Sequence, residues 1–299
     1  MDCLTIVWIL CAVAVLVLLM LVFVIVKGRR KESEEESSVT VPVTDSGSSI
    51  VPERQAVTIG NAQHIGARSE QQDSFGISSI DVKAMKERGV LAILADGMGG
   101  MSNGGALSKT AVQAALRSFQ NEPPEKNDEA TLLRILKRVR DAVRDTGITD
   151  GGTTFIAALI RNKELHFVSV GDSRICLMRN GGLIQLNREH VYGRELDDRA
   201  FNGLVSEQAA AKNPQRAALT SYIGKSGEMI IDRNLQPIPL YFGDKIVLMS
   251  DGVFNYLPES ELTQLLRKEP MEAASSVQNA VIGRHNPSQD NMTIVILEI

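Results

Sequence analysis

The sequence predicts an α+β domain in which two antiparallel β-sheets form a central sandwich flanked by helices, preceded by a single transmembrane helix. Short apolar runs follow one another with very short turns between them, which favours antiparallel pairing because parallel strands need a crossover of about a dozen residues. Helical stretches occur in pairs and do not alternate with single strands, as expected for helices packed outside antiparallel sheets. A long apolar run at the N-terminus accounts for the membrane segment.

The N-terminal run from Leu4 to Val26 contains neither a charge nor a proline. A helix of this length, rising ~1.5 Å per residue, spans the ~30 Å hydrocarbon core of a bilayer. A cleaved signal peptide is the main alternative, but its positive charge precedes a shorter apolar core. Here the basic cluster Lys27-Gly-Arg-Arg-Lys31 follows the run, which places the C-terminal side in the cytoplasm. We therefore predict a single-pass anchor over residues 1–27.

Residues 28–55 are predicted to form a flexible linker. The stretch from Glu32 to Pro52 is acidic, rich in serine and threonine, and poor in large apolar side chains. Such a segment cannot bury enough surface to order itself. A single folded domain is expected over residues 56–299.

Within that domain, apolar runs indicate buried strands and a 3.6-residue periodicity indicates helices. The first strand, from Val90 to Ala95, ends at Asp96-Gly97, a pattern typical of a strand that leads into a loop. The next four strands are expected to be consecutive antiparallel neighbours: Phe155–Ile160, Leu165–Val170, Ile175–Met178 and Leu183–Leu186. Two further strands are predicted at Lys245–Met249 and Thr293–Leu297. Helices are predicted from about residue 105, and over about 128–146, 258–268 and 270–283.

Charge and cysteine content exclude some classes of function. The formal net charge is -4, whereas a protein that binds nucleic acid usually carries a basic face. The cysteines Cys3, Cys11 and Cys176 have neither metal-ligand spacing nor an even number. We interpret them as small apolar residues in a reducing compartment.

The most informative feature is the position of five aspartates. Asp96, Asp172, Asp251 and Asp290 lie beside strand boundaries, and Asp73 is a fifth candidate. One such aspartate is commonly a turn former or helix cap. Five gathered at one edge of a sheet pair would repel one another unless cations neutralised them. Oxygen ligands without histidine or cysteine indicate Mg²⁺ or Mn²⁺ and not zinc.

A set of motifs makes this pattern specific. In chain order they are Arg68-xxxx-Asp73, Asp96-Gly-Met-Gly-Gly100, Gly152-Thr-Thr154, Gly171-Asp-Ser-Arg174, Leu186-Asn-Arg-Glu-His190, Asn213-Pro-Gln-Arg216, Ser250-Asp-Gly252 and Ser288-Gln-Asp-Asn-Met-Thr293. Together they resemble the metal-dependent protein phosphatase family, also called protein phosphatase 2C, and particularly its bacterial branch. The resemblance covers roughly residues 60–299.

The resemblance implies a two-metal centre that activates water for attack on phosphoserine and phosphothreonine in proteins. Asp73, Asp96, Asp251 and Asp290 would supply carboxylates, and Gly97 a backbone carbonyl. Asp172 matches the aspartate that helps to hold a third, weaker ion. Arg68 matches the residue that grips the substrate phosphate, for which a planar guanidinium is suited. Arg174 is expected to form a structural ion pair behind the site.

Two departures from the family pattern leave an alternative open. Gln72 replaces the glutamate usual in Asn-Glu-Asp, so an uncharged amide stands where the family has an acid. The Leu186-Asn-Arg-Glu-His190 segment departs from the usual Leu-Thr-x-Asp-His. The alternative is a catalytically impaired module that binds phosphoproteins or scaffolds a membrane signalling complex. For the active enzyme, the resemblance suggests an opposing membrane Ser/Thr kinase as a partner.

Overall fold

The computed structural model describes residues 57–78, 81–99, 103–123 and 127–299. The predicted anchor, residues 1–27, and the predicted linker, residues 28–55, lie outside these ranges. Among the helices of the described ranges, none has the length and apolar character needed to cross a membrane.

The described residues form strands and helices in the following positions. The strands are β1 Thr58–His64, β2 Asp73–Ile77, β3 Val90–Gly99, β4 Gly151–Thr153, β5 Phe155–Arg161, β6 Glu164–Val170, β7 Arg174–Arg179, β8 Gly182–Gln185, β9 Asp232–Arg233, β10 Ile238–Pro239, β11 Lys245–Met249 and β12 Met292–Glu298. The helices are α1 Val82–Arg88, α2 Asn103–Asn121, α3 Asp128–Arg144, α4 Tyr192–Phe201, α5 Glu207–Ala211, α6 Asp251–Phe254, α7 Glu259–Leu265 and α8 Pro270–Ile282.

The strands make two sheets with antiparallel pairings. The smaller sheet has five strands in the order β1-β12-β11-β7-β8. The larger has seven, with the path β10-β6-β5-β3-β2, while β4 pairs with β3 and β9 with β6. The four strands β5 to β8 and the strands β11 and β12 agree with the predicted ones to within one residue at most ends.

Side chains that alternate along each strand join the two sheets into a sandwich. In β3, Val90, Ala92 and Leu94 lie in one buried cluster with Val295 and Leu297 of β12, which belongs to the other sheet. The intervening residues of β3 face away from the sandwich and pack against helices. The predicted central β-sandwich of two antiparallel sheets is therefore confirmed.

Helices cover the outer face of each sheet, also as predicted. Leu107 of α2 and Leu136 of α3 pack with Ile93 on the larger sheet. Val277 of α8 packs with Ile296 on the smaller one. Burial of each such side chain contributes about 1.5–3 kcal/mol. The apolar faces of the helices therefore hold the helices against the two sheets.

The link between β6 and β7 corrects the predicted meander. We expected Leu165–Val170 and Ile175–Met178 to be neighbours, but β6 lies in the larger sheet and β7 in the smaller one. The chain crosses the sandwich at Gly171, whose φ of 107° favours glycine. The prediction was wrong because both strands are buried along nearly their whole length, so their sequences carry no mark of the sheet that each one joins.

The strand registers gather the aspartates at one end of the sandwich. β2 and β3 pair so that Asp73 lies opposite Asp96. β11 ends, and β12 begins, at this same end, directly beside Asp251 and Asp290. We call this end, defined by Asp73, Asp96, Asp172, Asp251 and Asp290, the aspartate edge.

Candidate metal centre

Both sheets contribute to the aspartate edge. Asp73 begins β2 and Asp96 lies in β3, both in the larger sheet. Asp251 begins α6 directly after β11, and Asp290 precedes β12, both beside the smaller sheet. Asp172 lies in the link that crosses from one sheet to the other. The structure thus brings the five aspartates predicted from the sequence to one place.

The carboxylates act on one another electrostatically. Burial raises the pKa of Asp96 well above its usual value of 3.8, and the charges of Asp73, Asp251, Asp172 and Asp290 raise it further. Burial, followed by repulsion from Asp172, Asp290 and Asp73, raises the pKa of Asp251 to about 7. Ionising the edge is therefore costly in the absence of a compensating cation.

Asp73 is the most buried of the five, with 3% of its surface exposed. Its Oδ2 accepts hydrogen bonds from Ser250 Oγ at 2.8 Å and Thr293 Oγ1 at 2.7 Å, which join the two sheets. Its Oδ1 is buried and has no hydrogen-bond partner. Burial raises the pKa of Asp73 to about 6, although the two hydroxyl bonds oppose the rise. A buried carboxylate oxygen without a donor is an oxygen suited to a cation.

Backbone contacts hold Asp96 and Gly97 in position. The N–H of Asp96 donates to Thr154 Oγ1 at 2.8 Å, and its carbonyl accepts from the Thr154 N–H at 2.8 Å and Thr153 Oγ1 at 2.9 Å. The Gly97 N–H donates to the Gln72 carbonyl at 3.1 Å. A Cβ on Gly97 would lie 2.1 Å from the Gly104 carbonyl oxygen, so β3 and α2 approach as closely as their main chains allow.

Arg68 and Asp290 form an ion pair at the exposed side of the edge. Arg68 Nη2 lies 2.6 Å from Asp290 Oδ2, and the arginine side chain is 56% exposed. Asn291 fixes the loop that carries Arg68, since its Nδ2 donates to the carbonyls of Ile65 at 2.7 Å and Glu70 at 3.0 Å. Arg68 is therefore held at the rim, where a phosphate can reach it.

The segment from Leu186 to His190, which departs from the family pattern, contacts the link between β6 and β7 that carries Asp172. The side chain of Asn187 bonds to both strands that flank the link: it accepts from the Ile175 N–H of β7 at 2.7 Å and donates to Ser169 Oγ of β6 at 2.8 Å. Glu189 accepts from Arg174 Nε at 2.5 Å, which is the structural ion pair expected for Arg174. His190 Nδ1 accepts from the Gly171 N–H at 3.0 Å, and burial lowers the pKa of this histidine.

Several supporting residues were not given a role by sequence reasoning. Ser250 and Thr293 donate to Asp73, and their places inside the Ser250-Asp-Gly252 and Ser288-to-Thr293 motifs are a signal that could have identified them. Tyr256 contacts the main chain of Asp290, and no local pattern marks it.

The donor set fits Mn²⁺ or Mg²⁺ by its chemistry. It consists of carboxylate oxygens and a glycine carbonyl, which hard divalent cations prefer, and it includes the unpartnered Asp73 Oδ1. Within the described ranges, no three histidine, cysteine, aspartate or glutamate side chains converge closely enough to enclose an ion. The roles of Asp73, Asp96, Gly97, Asp172, Asp251 and Asp290 as ligands stay predictions.

The raised pKa values predict how the metal-free protein responds to pH. Asp73 and Asp172 have folded-state pKa values of about 6 and Asp251 of about 7, against 3.8 for an ordinary aspartate. The folded state therefore retains protons that the unfolded chain has released, and stability falls as pH rises through 6–7. We expect a lower urea midpoint at about pH 7.5 than at about pH 5 in EDTA, and added Mn²⁺ should remove the difference. Equal midpoints in EDTA would contradict it.

Comparison with known proteins gives matches to a family model and to curated relatives. The family model described as "Protein phosphatase 2C" matches residues 61–282. The "Serine/threonine phosphatase stp" of Listeria welshimeri is 26% identical over 223 residues, which are 71% of this chain and 86% of that protein.

Solved structures show the same fold. The serine/threonine phosphatase of S. agalactiae has a TM-score of 0.68 at 26% identity, covering 81% of this chain and 99% of that one. The catalytic domain of PstP, solved in complex with two manganese ions, has a TM-score of 0.62 at 24% identity, covering 81% of this chain and 98% of its own.

Proposed function

The chain belongs to the protein phosphatase 2C family, and we propose that it hydrolyses phosphoserine and phosphothreonine in proteins with Mn²⁺ or Mg²⁺ as cofactor. The observation that carries the proposal is the aspartate edge, where the charges of four aspartates raise the pKa of Asp96 and the buried Oδ1 of Asp73 has no hydrogen-bond partner. Named relatives of this family are serine/threonine phosphatases. The activity assigned here is theirs, and the chemistry of the edge is suited to it.

Two ions would be held by Asp73, Asp96, Asp251 and Asp290 with the carbonyl of Gly97, and a third, weaker one with the help of Asp172. Bound there, such ions supply the positive charge that activates water and neutralises the phosphoryl oxygens. Ser250 and Thr293 keep Asp73 Oδ2 in a fixed direction, which leaves its Oδ1 for the cation.

Arg68 would bind the phosphate of the substrate. Its guanidinium is exposed and forms an ion pair with Asp290, and its planar fork can bind two phosphate oxygens. The incoming phosphate would replace Asp290 as the partner of Arg68. The Asp290 carboxylate would then be available to bind a cation.

The one cysteine in the described part of the chain is unsuited to a thiolate mechanism. Cys176 lies buried in β7, and burial raises the pKa of its thiol to about 12. A nucleophilic cysteine needs a lowered pKa and access to the substrate. This supports water as the nucleophile.

Membrane attachment is part of the proposal and rests on the sequence. The apolar run Leu4–Val26 and the basic cluster from Lys27 to Lys31 support a single-pass anchor with the phosphatase domain in the cytoplasm. The substrates would then be phosphoproteins near the inner face of the membrane, and a membrane Ser/Thr kinase would be the opposing enzyme.

Hydrolysis of a phosphothreonine peptide by the purified full chain tests the proposal. We expect phosphate release with Mn²⁺ and none in EDTA, because the carboxylates need cations to act on the phosphate. A folded chain that releases no phosphate even at millimolar Mn²⁺ would favour the impaired binding module, for which Gln72 is the motivating residue. The same assay on a small phosphorylated metabolite serves as the substrate control.

A further inference from the structure

We propose that Tyr256 is a positioning residue, which holds the main chain at Asp290 and thereby sets the affinity of the aspartate edge for its cations. The inference rests on the proposed function, because it presumes that Asp290 binds a cation. Tyr256 belongs to none of the motifs that indicate the family, and it lies five residues after Asp251 in the chain.

The hydroxyl of Tyr256 makes two hydrogen bonds to one turn. It accepts from the Asp290 N–H at 3.1 Å and donates to the Ser288 carbonyl at 3.0 Å. A backbone N–H can only donate and a carbonyl can only accept, so the direction of each bond is fixed. One hydroxyl therefore satisfies both main-chain groups and fixes the spacing between them.

The position of Tyr256 connects two of the predicted ligands. The segment that begins with Asp251 continues through α6 to Tyr256, whose N–H donates to the Val253 carbonyl at 3.2 Å. The adjacent Leu257 is buried in the core of the smaller sheet. Tyr256 therefore belongs to a segment that is anchored in the core. Its hydroxyl joins this segment, which begins at Asp251, to the turn that carries Asp290.

The turn itself has few other tertiary anchors. Residues 283–288 are exposed to solvent. The Ala67 N–H donates to the Gln289 carbonyl at 2.8 Å, and the side chain of Asn291 donates to the Ile65 carbonyl at 2.7 Å. Without the hydroxyl, the Asp290 N–H loses its partner. Among the described residues, the carboxylate is then held only by the Asn291 N–H, which donates to its Oδ1 at 2.8 Å, and by the ion pair with Arg68 at 2.6 Å.

Replacing Tyr256 by phenylalanine tests this role, since the ring remains and only the hydroxyl is lost. For the full chain we expect the Mn²⁺ dissociation constant, measured by titration calorimetry, to rise about three- to tenfold, as expected for the loss of one or two hydrogen bonds that orient a ligand. At saturating Mn²⁺, kcat should return close to that of the unsubstituted chain. Tyr241→Phe is the matched control, because this exposed tyrosine lies far from the edge, in the turn before β11.

The outcomes separate the inference from the proposed function. An unchanged Mn²⁺ dissociation constant in Tyr256→Phe, with or without a fall in thermal stability, would overturn the positioning role and leave the enzyme assignment intact. Absence of Mn²⁺ binding by the unsubstituted chain would overturn both. An equal loss of affinity in Tyr241→Phe would also contradict the inference.

Discussion

Asp251→Asn should abolish turnover and leave the fold intact. The carboxylate begins α6 at the aspartate edge, where burial and three neighbouring aspartates raise its pKa to about 7. An amide is isosteric but a poor ligand for a divalent cation, so we expect phosphate release to fall at least about 100-fold, the upper end of the loss caused by residues that merely support a ligand. Phosphothreonine-peptide hydrolysis in Mn²⁺ measures the effect.

A second measurement shows that the loss is chemical and not structural. Because the ionised carboxylate is costly in the folded state, Asp251→Asn should leave the urea midpoint in EDTA unchanged or higher near pH 7.5. Asp145→Asn is the control, since this exposed aspartate directly follows α3, and the activity of this variant should equal that of the unsubstituted chain. Full activity in Asp251→Asn would refute the proposed centre.

Gly97→Ala should destabilise the domain and eliminate activity together. A Cβ at this position would lie 2.1 Å from the Gly104 carbonyl oxygen and 2.8 Å from the Gln72 carbonyl oxygen. Both contacts involve main-chain atoms, so β3 must move away from α2. We expect a loss of about 3 kcal/mol or more in the free energy of unfolding, at or above the cost of overpacking a core, and a displaced Gly97 carbonyl.

Gly182→Ala provides the matched glycine control. Its Cβ would meet only the Arg179 carbonyl oxygen at 3.7 Å, an ordinary contact, so the urea midpoint and activity should change little. An unchanged urea midpoint in Gly97→Ala would show that β3 and α2 leave room for a Cβ at this position. If it remains fully active, the Gly97 carbonyl is not part of the centre.

The sandwich was predictable because its central strands are apolar and closely spaced. The runs at Val90, Phe155 and Lys245 each begin a strand that the structure reproduces. By contrast, β1 contains polar residues such as Asn61 and Gln63, and β2 begins with Asp73 and Ser74. These two segments become strands through pairing with β12 and β3. Pairing of this kind depends on tertiary contacts that the local sequence does not encode.

The five aspartates were predictable because local sequence patterns mark them. The residues that hold them in position were not predictable in this way. An aspartate beside a strand end is visible in the sequence, and a motif fixes its spacing. Tyr256 reaches Asp290 across 34 positions of the chain, and the sheet assigned to β7 depends on a crossing at Gly171. Contacts between distant segments of this kind follow from the packed layers, which short-range patterns do not reveal.

The crossing between β6 and β7 has a consequence for the lifetime of the protein. Because the aspartates come from both sheets and the chain passes from one to the other at Asp172, a cation bound at the edge would bind the docked sandwich and neither sheet alone. Ligand binding to the native state alone lowers the unfolded population by mass action. The supply of Mn²⁺ or Mg²⁺ in the cell would then affect how long each copy escapes proteolysis, as well as how fast it works.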